Sequence, residues 1–470
     1  MLNKILQNLK KYPDDECYQI KDKIYRNKDL YKYVCNIYNY LLENNEIKRP
    51  VVVKGHKQIY MIASFIACSM AGFTYVPIDE EMPKERAKKV INQVQPKLII
   101  DEEIEKIMEK SNPKDIEKIY LKDEDIYYII FTSGTTGEPK GVQITYRNLK
   151  SCMLWLEEIC KIKQGVVLNQ ANFSFDLSVA DLYLPLLTKS KHYILEKTTL
   201  RNYPELFKEL GRSNAELMVV TPSFVDFLLI DKSFNNNLMP NLKKVLFCGE
   251  RLGESTVSKL YERFENLDII NCYGPTECTF AVTCDKVKRG EKISIGISKE
   301  DVKIFIVDDN LQELKENEIG EILISGESVG SGYLKPELNQ NVFIEFNGKK
   351  AYLTGDLGYK CKDKFYCLGR KDKQVKYKGY RIEISEIEAV LGKLNFIEKV
   401  VVVVDFDDNE NVNKIIAFVK EKEEGTKSSK EIKEIIKNYL PDYMIPVIRI
   451  VEQFPLNVNG KVDERKLLEM

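Results

Sequence analysis

Histidine is almost missing: the 470-residue chain carries only His56 and His192. Neither stands in a recognisable motif, which argues against chemistry built on an imidazole base. A surplus of either charge is missing too, with 71 Lys and Arg against 72 Asp and Glu. That balance leaves no basic field to hold nucleic acid or anionic lipid, and points to small-molecule substrates. The eleven cysteines include no CxxC pair. A chain this long needs no disulfide staples, so free thiols in a reducing cytoplasm are expected, and with them a cytoplasmic protein. The opening residues MLNKILQNLKKYPDDE lack a continuous apolar stretch and a small-residue cleavage site, and read as an amphipathic helix rather than a signal. One apolar run, residues 61–78, approaches membrane-spanning length, but Ser, Thr, Gly and Pro77 interrupt it and DEE follows. A buried helix running into a strand is expected there, with no membrane insertion. Internal repeats are missing as well.

What is present is an alternation. Over the first 280 residues or so, short runs rich in Val, Ile and Tyr (PVVVKG, TYVPI, KLIID, YYIIF, ELMVVTPS, KKVLFCG) alternate with longer helical patterns. Such alternation predicts an α/β fold in which helices wrap mixed sheets. From about residue 292 strand candidates crowd together with turn residues between them (VKIFIVDDN, GEILISGE, KAYLTGD, KFYCLGR), which predicts a small β-barrel-like subdomain. A helix, a strand pair (KVVVVVDF, KIIAFVKEK), a polar spacer and a further helix follow. The expected division is a large N-terminal domain, residues 1–371 with the β-rich part at about 292–371, and a small mobile α+β domain, residues 372–470.

Residues 128–145, YIIFTSGTTGEPKGVQIT, place an apolar strand before a run of Thr, Ser, Gly, Glu and Pro that ends at Lys140. Small residues let backbone N–H groups turn inward around phosphate oxygens, hydroxyls add donors and a lysine adds charge. The run is not a Walker A loop, because Lys140 trails Gly137 by three positions and precedes Gly141. Downstream come, in order, NFSFDLSVADLY, LFCGERL, NCYGPTE, GEILISGESVGSGYL, YLTGDLG, GRKDKQVKYKGYRIEISEIE and LNVNGKVDERKLL.

With these motifs the sequence resembles the adenylate-forming superfamily of acyl-CoA synthetases, luciferases and peptide-synthetase adenylation domains. Through GVQIT with Asn148, Leu149 and Trp155 following, FSFDLSVADLY, TPSF and LFCGE, it looks most like the D-alanine:D-alanyl carrier protein ligases. The resemblance runs from about Val52 to Leu468. It implies an ATP- and Mg²⁺-dependent ligase that activates a carboxylate as an acyl-adenylate and passes it to a thiol. The physical logic agrees: a carboxylate has no leaving group that a thiol can expel near neutral pH, so it must first become a mixed anhydride. Attack on an α-phosphate builds charge on oxygen, so the site needs cations and N–H donors more than a base.

Residue by residue, the resemblance assigns ATP binding to Thr132, Ser133, Gly134, Thr135, Thr136, Gly137 and Lys140 in the loop. It adds Asn271, Cys272, Tyr273, Gly274, Pro275 and Thr276 around adenine, and Asp356, Gly369 and Arg370 near ribose and phosphate. Glu277 and Thr136 are the implied Mg²⁺ ligands, Lys461 the catalytic lysine bridging substrate carboxylate and α-phosphate, and Asp372 the hinge of the small domain. Asp356 is read as lying at a strand end. Asp176 is read as a carboxylate in an apolar, strand-like context that pairs with an amino-acid ammonium. The implied side-chain wall is Leu177, Ala180, Leu246, Cys248, Cys272, Phe280 and Ala281, with Cys248 and Phe280 closest to the specificity question. It offers no charge, which favours a small apolar side chain.

No carrier-like serine motif follows Lys461, so the acceptor is expected in trans: a separate carrier protein bearing phosphopantetheine. Gly379, within the basic stretch KQVKYKGYR, leaves room for the pantetheine arm. Three departures from the ligase pattern are visible. Cys272 replaces the usual threonine, Phe280 exceeds the usual valine, and Cys367–Leu368 replaces an aromatic before GR. The ligase resemblance and the small uncharged wall make D-alanine the expected substrate, while the departures leave the side chain and its chirality less determined than the reaction. Two other readings stay open, a stand-alone adenylation enzyme loading another small amino acid for a natural product and a catalytically silent nucleotide-binding scaffold.

Overall fold

The computed structural model describes residues 1–44, 49–134, 137–407, 411–423, 425–455 and 462–470. The chain divides into two compact units. The first holds residues 1–80, 94–131 and 141–369; the second holds 81–93, 132–140 and 370–470.

The first unit is an α/β structure, as its alternating sequence requires. A nine-stranded sheet runs in the order 297–298, 283–287, 268–273, 244–247, 217–220, 166–169, 191–194, 16–20, 23–26. Its central strands are parallel, and the antiparallel pairs lie toward its ends. A second sheet orders 332–333, 140–145, 126–132, 75–79, 51–55 and 98–100. Residues 61–78 behave as expected: the helix Ile59–Ala71 is buried along its whole length and leads into the strand Tyr75–Asp79. A helix apolar on every side belongs in a core. Among the described residues no helix is long and apolar enough to cross a membrane.

A five-stranded sheet completes this unit, with Val302–Val307, Gly320–Gly326, Lys349–Cys361 and Phe343–Phe346 in order and Lys364–Arg370 paired to the longest strand. Asp356 lies inside that 13-residue strand, not at its end. The strand register shifts between Glu321 and Leu323, opposite this segment. An irregularity of this kind places a glycine, here Gly355, mid-strand, where the sequence alone suggests a turn.

The second unit has its own core, in which Ile382, Ile387 and Leu391 meet Val402, Ile415, Ile432 and Ile448. Strands Ile397–Phe406 and Val412–Glu421 are antiparallel, and Val447–Ile450 adds in parallel. A hairpin of Gln374–Tyr377 and Tyr380–Glu383 turns through Lys378 and Gly379. The helix Lys84–Val94 contributes most of its length to this unit and anchors it through Arg86, whose guanidinium pairs with the buried Glu386 carboxylate.

Candidate active site

The strand Asp268–Tyr273 feeds the site of the first unit. Its side chains alternate: Ile270 and Cys272 enter the main core, while Ile269 and Tyr273 enter other clusters. Asn271 donates its side-chain amide to the Ser294 carbonyl at 2.8 Å, so part of its capacity is structural. Tyr273 ends the strand and donates its hydroxyl to Asp356 Oδ2 at 2.6 Å, both groups being buried. Burial first, and then the Asp356 charge, hold the Tyr273 phenol well above its ordinary range, so it remains a donor. At Gly274 a Cβ would strike the Phe280 carbonyl oxygen and Ala281 Cα at 2.7 Å, so the turn through Gly274 and Pro275 has room only for glycine at its first position.

The 3₁₀ turn Thr276–Cys278 presents two functional groups. Thr276 donates its hydroxyl to Asp176 Oδ2 at 2.6 Å. Glu277 is fully buried and accepts from the Tyr333 hydroxyl at 2.7 Å through Oε1. Asp176 is not in a strand: it stands at the N-cap of the helix Leu177–Thr188. That helix is buried on all sides, so its sequence shows no amphipathic period and reads ambiguously between strand and helix. A carboxylate at a helix N-terminus is favourably placed against the helix dipole.

Leu177, Ala180, Leu246, Cys248, Cys272, Phe280 and Ala281 belong to one buried cluster. The Cys248 thiol directs its weak S–H donor at the Phe280 carbonyl at 3.8 Å. Burial drives the Cys272 thiol well above its ordinary range, leaving it a neutral, apolar wall group.

The glycine-rich loop lies in the second unit. Thr132 ends one strand and Lys140 begins the next. Thr135 and Thr136 fall outside the described residues. Gly137 N–H donates to the Gly134 carbonyl at 3.0 Å. A Cβ on Gly134 would lie 2.1 Å from the Glu138 carbonyl oxygen. Three described donors of this loop face anionic or carbonyl oxygens of the same unit. Gly134 N–H donates to Glu386 Oε2 at 3.2 Å, Ser133 Oγ donates to the Arg381 carbonyl at 2.7 Å, and Lys140 Nζ lies 3.5 Å from Glu383 Oε1. Each is a group able to serve a phosphate oxygen, and two of them meet a carboxylate here.

Gly369 and Arg370 end the strand Lys364–Arg370. Arg370 forks onto Asp372, with Nε to Oδ1 at 2.8 Å and a terminal nitrogen to Oδ2 at 2.6 Å. Lys461 lies outside the described residues. The structure thus brings together Asp176 with Thr276, Tyr273 with Asp356, Cys248 with Phe280, and Arg370 with Asp372. Sequence reasoning missed Tyr333 as the partner of Glu277, although its motif was visible. It also missed Glu383 and Glu386 around the loop, although both stand in the quoted segment GRKDKQVKYKGYRIEISEIE, and Arg86, for which no local signal exists.

Residues 5–334 match the AMP-binding enzyme family, and residues 386–461 match the AMP-binding enzyme C-terminal domain. The chain is 38% identical to the D-alanine--D-alanyl carrier protein ligase of Listeria innocua serovar 6a, over 97% of this chain and 96% of that protein. It is 36% identical to the protein of the same name from Bacillus licheniformis, over 89% of each. In fold it resembles the Vibrio cholerae adenylation domain AlmE, solved with glycyl-adenosine-5'-phosphate, at a TM-score of 0.87 and 21% identity, covering 100% of this chain and 97% of that one. An artificially fused adenylation–PCP di-domain from Klebsiella oxytoca gives a TM-score of 0.85 at 19% identity, covering 96% and 93%.

Proposed function

The chain belongs to the AMP-binding enzyme family and is an ATP-using ligase, and from that premise we propose that it activates D-alanine as D-alanyl-adenylate and loads it onto the phosphopantetheine thiol of a separate carrier protein. The observation that carries the substrate assignment is the Asp176 carboxylate, held by Thr276 at 2.6 Å, in a protein whose matched pocket wall is wholly uncharged. A carboxylate there suits an α-ammonium, and the wall suits a methyl group. A fatty acid brings no cation to meet that carboxylate, whereas an amino acid does.

In the first half-reaction a D-alanine carboxylate oxygen attacks the α-phosphorus of ATP and pyrophosphate leaves. Asp176 holds the ammonium, and Tyr273 and Asp356 serve adenosine. Ser133, the loop amides and Lys140 serve the phosphates, with Lys461 carrying positive charge to the α-phosphate and substrate carboxylate. The fully buried Glu277, a hard oxygen donor, would hold Mg²⁺ together with Thr136. The metal would supply charge neutralisation on the phosphate oxygens. In the second half-reaction the thiol sulfur bonds to the acyl carbon, AMP leaves with the electron pair of the anhydride bond, and the thiol gives up its proton. Asp372 is the hinge about which the small domain presents each half-reaction's groups. The curated relatives' shared name supports the carrier protein as acceptor.

The test is amino-acid-dependent ATP/pyrophosphate exchange across a panel of D- and L-amino acids, with and without EDTA. D-alanine should give the highest kcat/KM, and exchange should vanish with EDTA and return with Mg²⁺. Equal or better exchange with a large or acidic amino acid would overturn the substrate assignment.

A further inference from the structure

Three strands of the first unit end at their carboxyl edges with polar groups that no step above uses. The strand Val51–Gly55 is followed by His56 and Lys57, Tyr75–Asp79 ends in Asp79, and Val166–Asn169 ends in Asn169. The first two are parallel neighbours. Carboxyl ends of parallel strands are where α/β proteins assemble ligand sites. The segment that leaves Asn169 runs through residues 170–175 to Asp176, the carboxylate assigned to the substrate ammonium.

We infer that Asn172, Asp79 and His56 form a strut that fixes this segment and thereby sets the Asp176 carboxylate, making them positioning residues for recognition of the substrate ammonium. Asn172 Nδ2 donates to Asp79 Oδ2 at 2.5 Å. His56 Nδ1 donates to the same oxygen at 2.8 Å, and Lys197 Nζ stands 3.9 Å from the other. The Asp79 side chain is only 8% exposed. A buried carboxylate is costly unless it is hydrogen-bonded, and here one of its partners is a loop amide rather than a core group.

The far side of Asn172 shapes the turn itself. Its Oδ1 accepts from Ser174 N at 3.0 Å and Ser174 Oγ at 3.1 Å. Its backbone carbonyl accepts from Phe175 N at 2.9 Å. This is an Asx-type turn, in which one side chain dictates the backbone two residues on. Asp176 follows directly and starts the helix.

The base of the segment is held by a second, separate clamp. Lys57 Nζ donates to the carbonyls of Gln170 at 2.7 Å, Leu195 at 3.0 Å and Asn169 at 3.3 Å. Asn169 in turn donates its side-chain amide to Asp181 Oδ1 at 2.6 Å. Lys57 therefore fixes where the segment begins, while the strut fixes how it turns toward Asp176. Thr276 steadies the carboxylate from the side, so removing the strut should displace Asp176 without freeing it entirely.

The inference rests on Asp176 as the ammonium partner. It is tested by pyrophosphate exchange in wild type, Asn172→Ala, Asp79→Ala and Asp79→Asn, with D-alanine, its des-amino analogue propionate, and MgATP varied separately. Because the ammonium contact exists in both ground and transition states, its loss should raise KM for the amino acid with kcat little changed. In Asn172→Ala and Asp79→Ala that KM should rise roughly tenfold to 100-fold, as misplacing a binding group by a fraction of an ångström does. KM for MgATP should stay within about twofold, and preference for D-alanine over propionate should fall by the same factor as amino-acid binding. Asp79→Asn keeps an acceptor oxygen for Asn172 and should recover part of the loss. Should Asp79→Ala fail to fold, Asn172→Ala decides alone, since Asn172 is half-buried on a connecting segment. Wild-type exchange combined with an unmoved amino-acid KM in folded Asn172→Ala, or a parallel rise in both KM values, would overturn the strut. Wild type with no amino-acid-dependent exchange would overturn the proposed function, and the strut with it.

Discussion

Replacing Cys248 by alanine separates a stereochemical role from simple core filling. Cys248 follows the strand Lys244–Phe247, is 2% exposed, and points its sulfur at the Phe280 carbonyl at 3.8 Å. Phe280 itself has a backbone φ of 71°, so that carbonyl is set by an uncommon left-handed conformation. The sulfur is therefore oriented, not merely enclosed. If it occupies the direction an L-side-chain methyl would take, the alanine variant opens about one methyl-sized volume on that side only. Asp176 would still fix the ammonium and Lys461 the carboxylate, so the methyl direction is the single variable. One such contact is worth about 1–3 kcal/mol, or roughly tenfold to 200-fold in kcat/KM. The L-alanine value should rise by that factor while the D-alanine value stays nearly constant. The stability cost of removing one methyl-sized buried group is about 1 kcal/mol and is measured independently by urea denaturation. A variant that loses that stability yet keeps the wild-type D/L ratio would refute the filter and leave Cys248 as packing.

Two other substitutions test the chemistry and the small unit. Lys461→Ala should slow adenylation by roughly 10² to 10³, the usual effect of removing a preorganised charge-stabilising donor. Thioester formation from supplied D-alanyl-adenylate should survive, and an equal loss in both half-reactions, with the fold intact by circular dichroism, would contradict alternation about Asp372. Arg86→Met leaves the Glu386 carboxylate, whose side chain is 2% exposed, without its buried cation. A destabilisation of about 3–5 kcal/mol is expected, read from the urea transition of the full chain. A shift below about 1 kcal/mol would mean that the Gly134 amide and its neighbours hold the charge without Arg86.

The sequence made the site's parts legible and left their pairings dark. Strand and helix alternation, the buried run at residues 61–78 and the late β-rich segment all follow from periodicity, because each depends on neighbours within a dozen positions. Asp176 and Asp356 were recognisable as unusual carboxylates, yet each was placed in the wrong local structure. The helix after Asp176 is apolar on every face, and the strand around Asp356 tolerates a glycine mid-length.

The pairings depend on contacts far apart in the chain. Thr276 reaches Asp176 across 100 residues, Tyr273 reaches Asp356 across 83, and Asn172 reaches Asp79 across 93. No local pattern encodes such distances, because topology decides which strand ends meet. This bears on Thr276, which its motif alone groups with nucleotide-binding residues. Its hydroxyl is a single donor, and at 2.6 Å from Asp176 Oδ2 that donor is engaged in a short, charge-assisted bond. In this arrangement Thr276 can meet ATP only through its backbone or as an acceptor, because its hydroxyl proton is committed to the carboxylate proposed for the ammonium. The YGPTE turn therefore ties two carboxylates together: Tyr273 leads to Asp356 and Thr276 to Asp176, with the buried Glu277 directly after Thr276. A shift of that turn would move the residues assigned to adenosine and to the ammonium together, so substitutions within it should alter both KM values, whereas the strut at Asn172 should alter one.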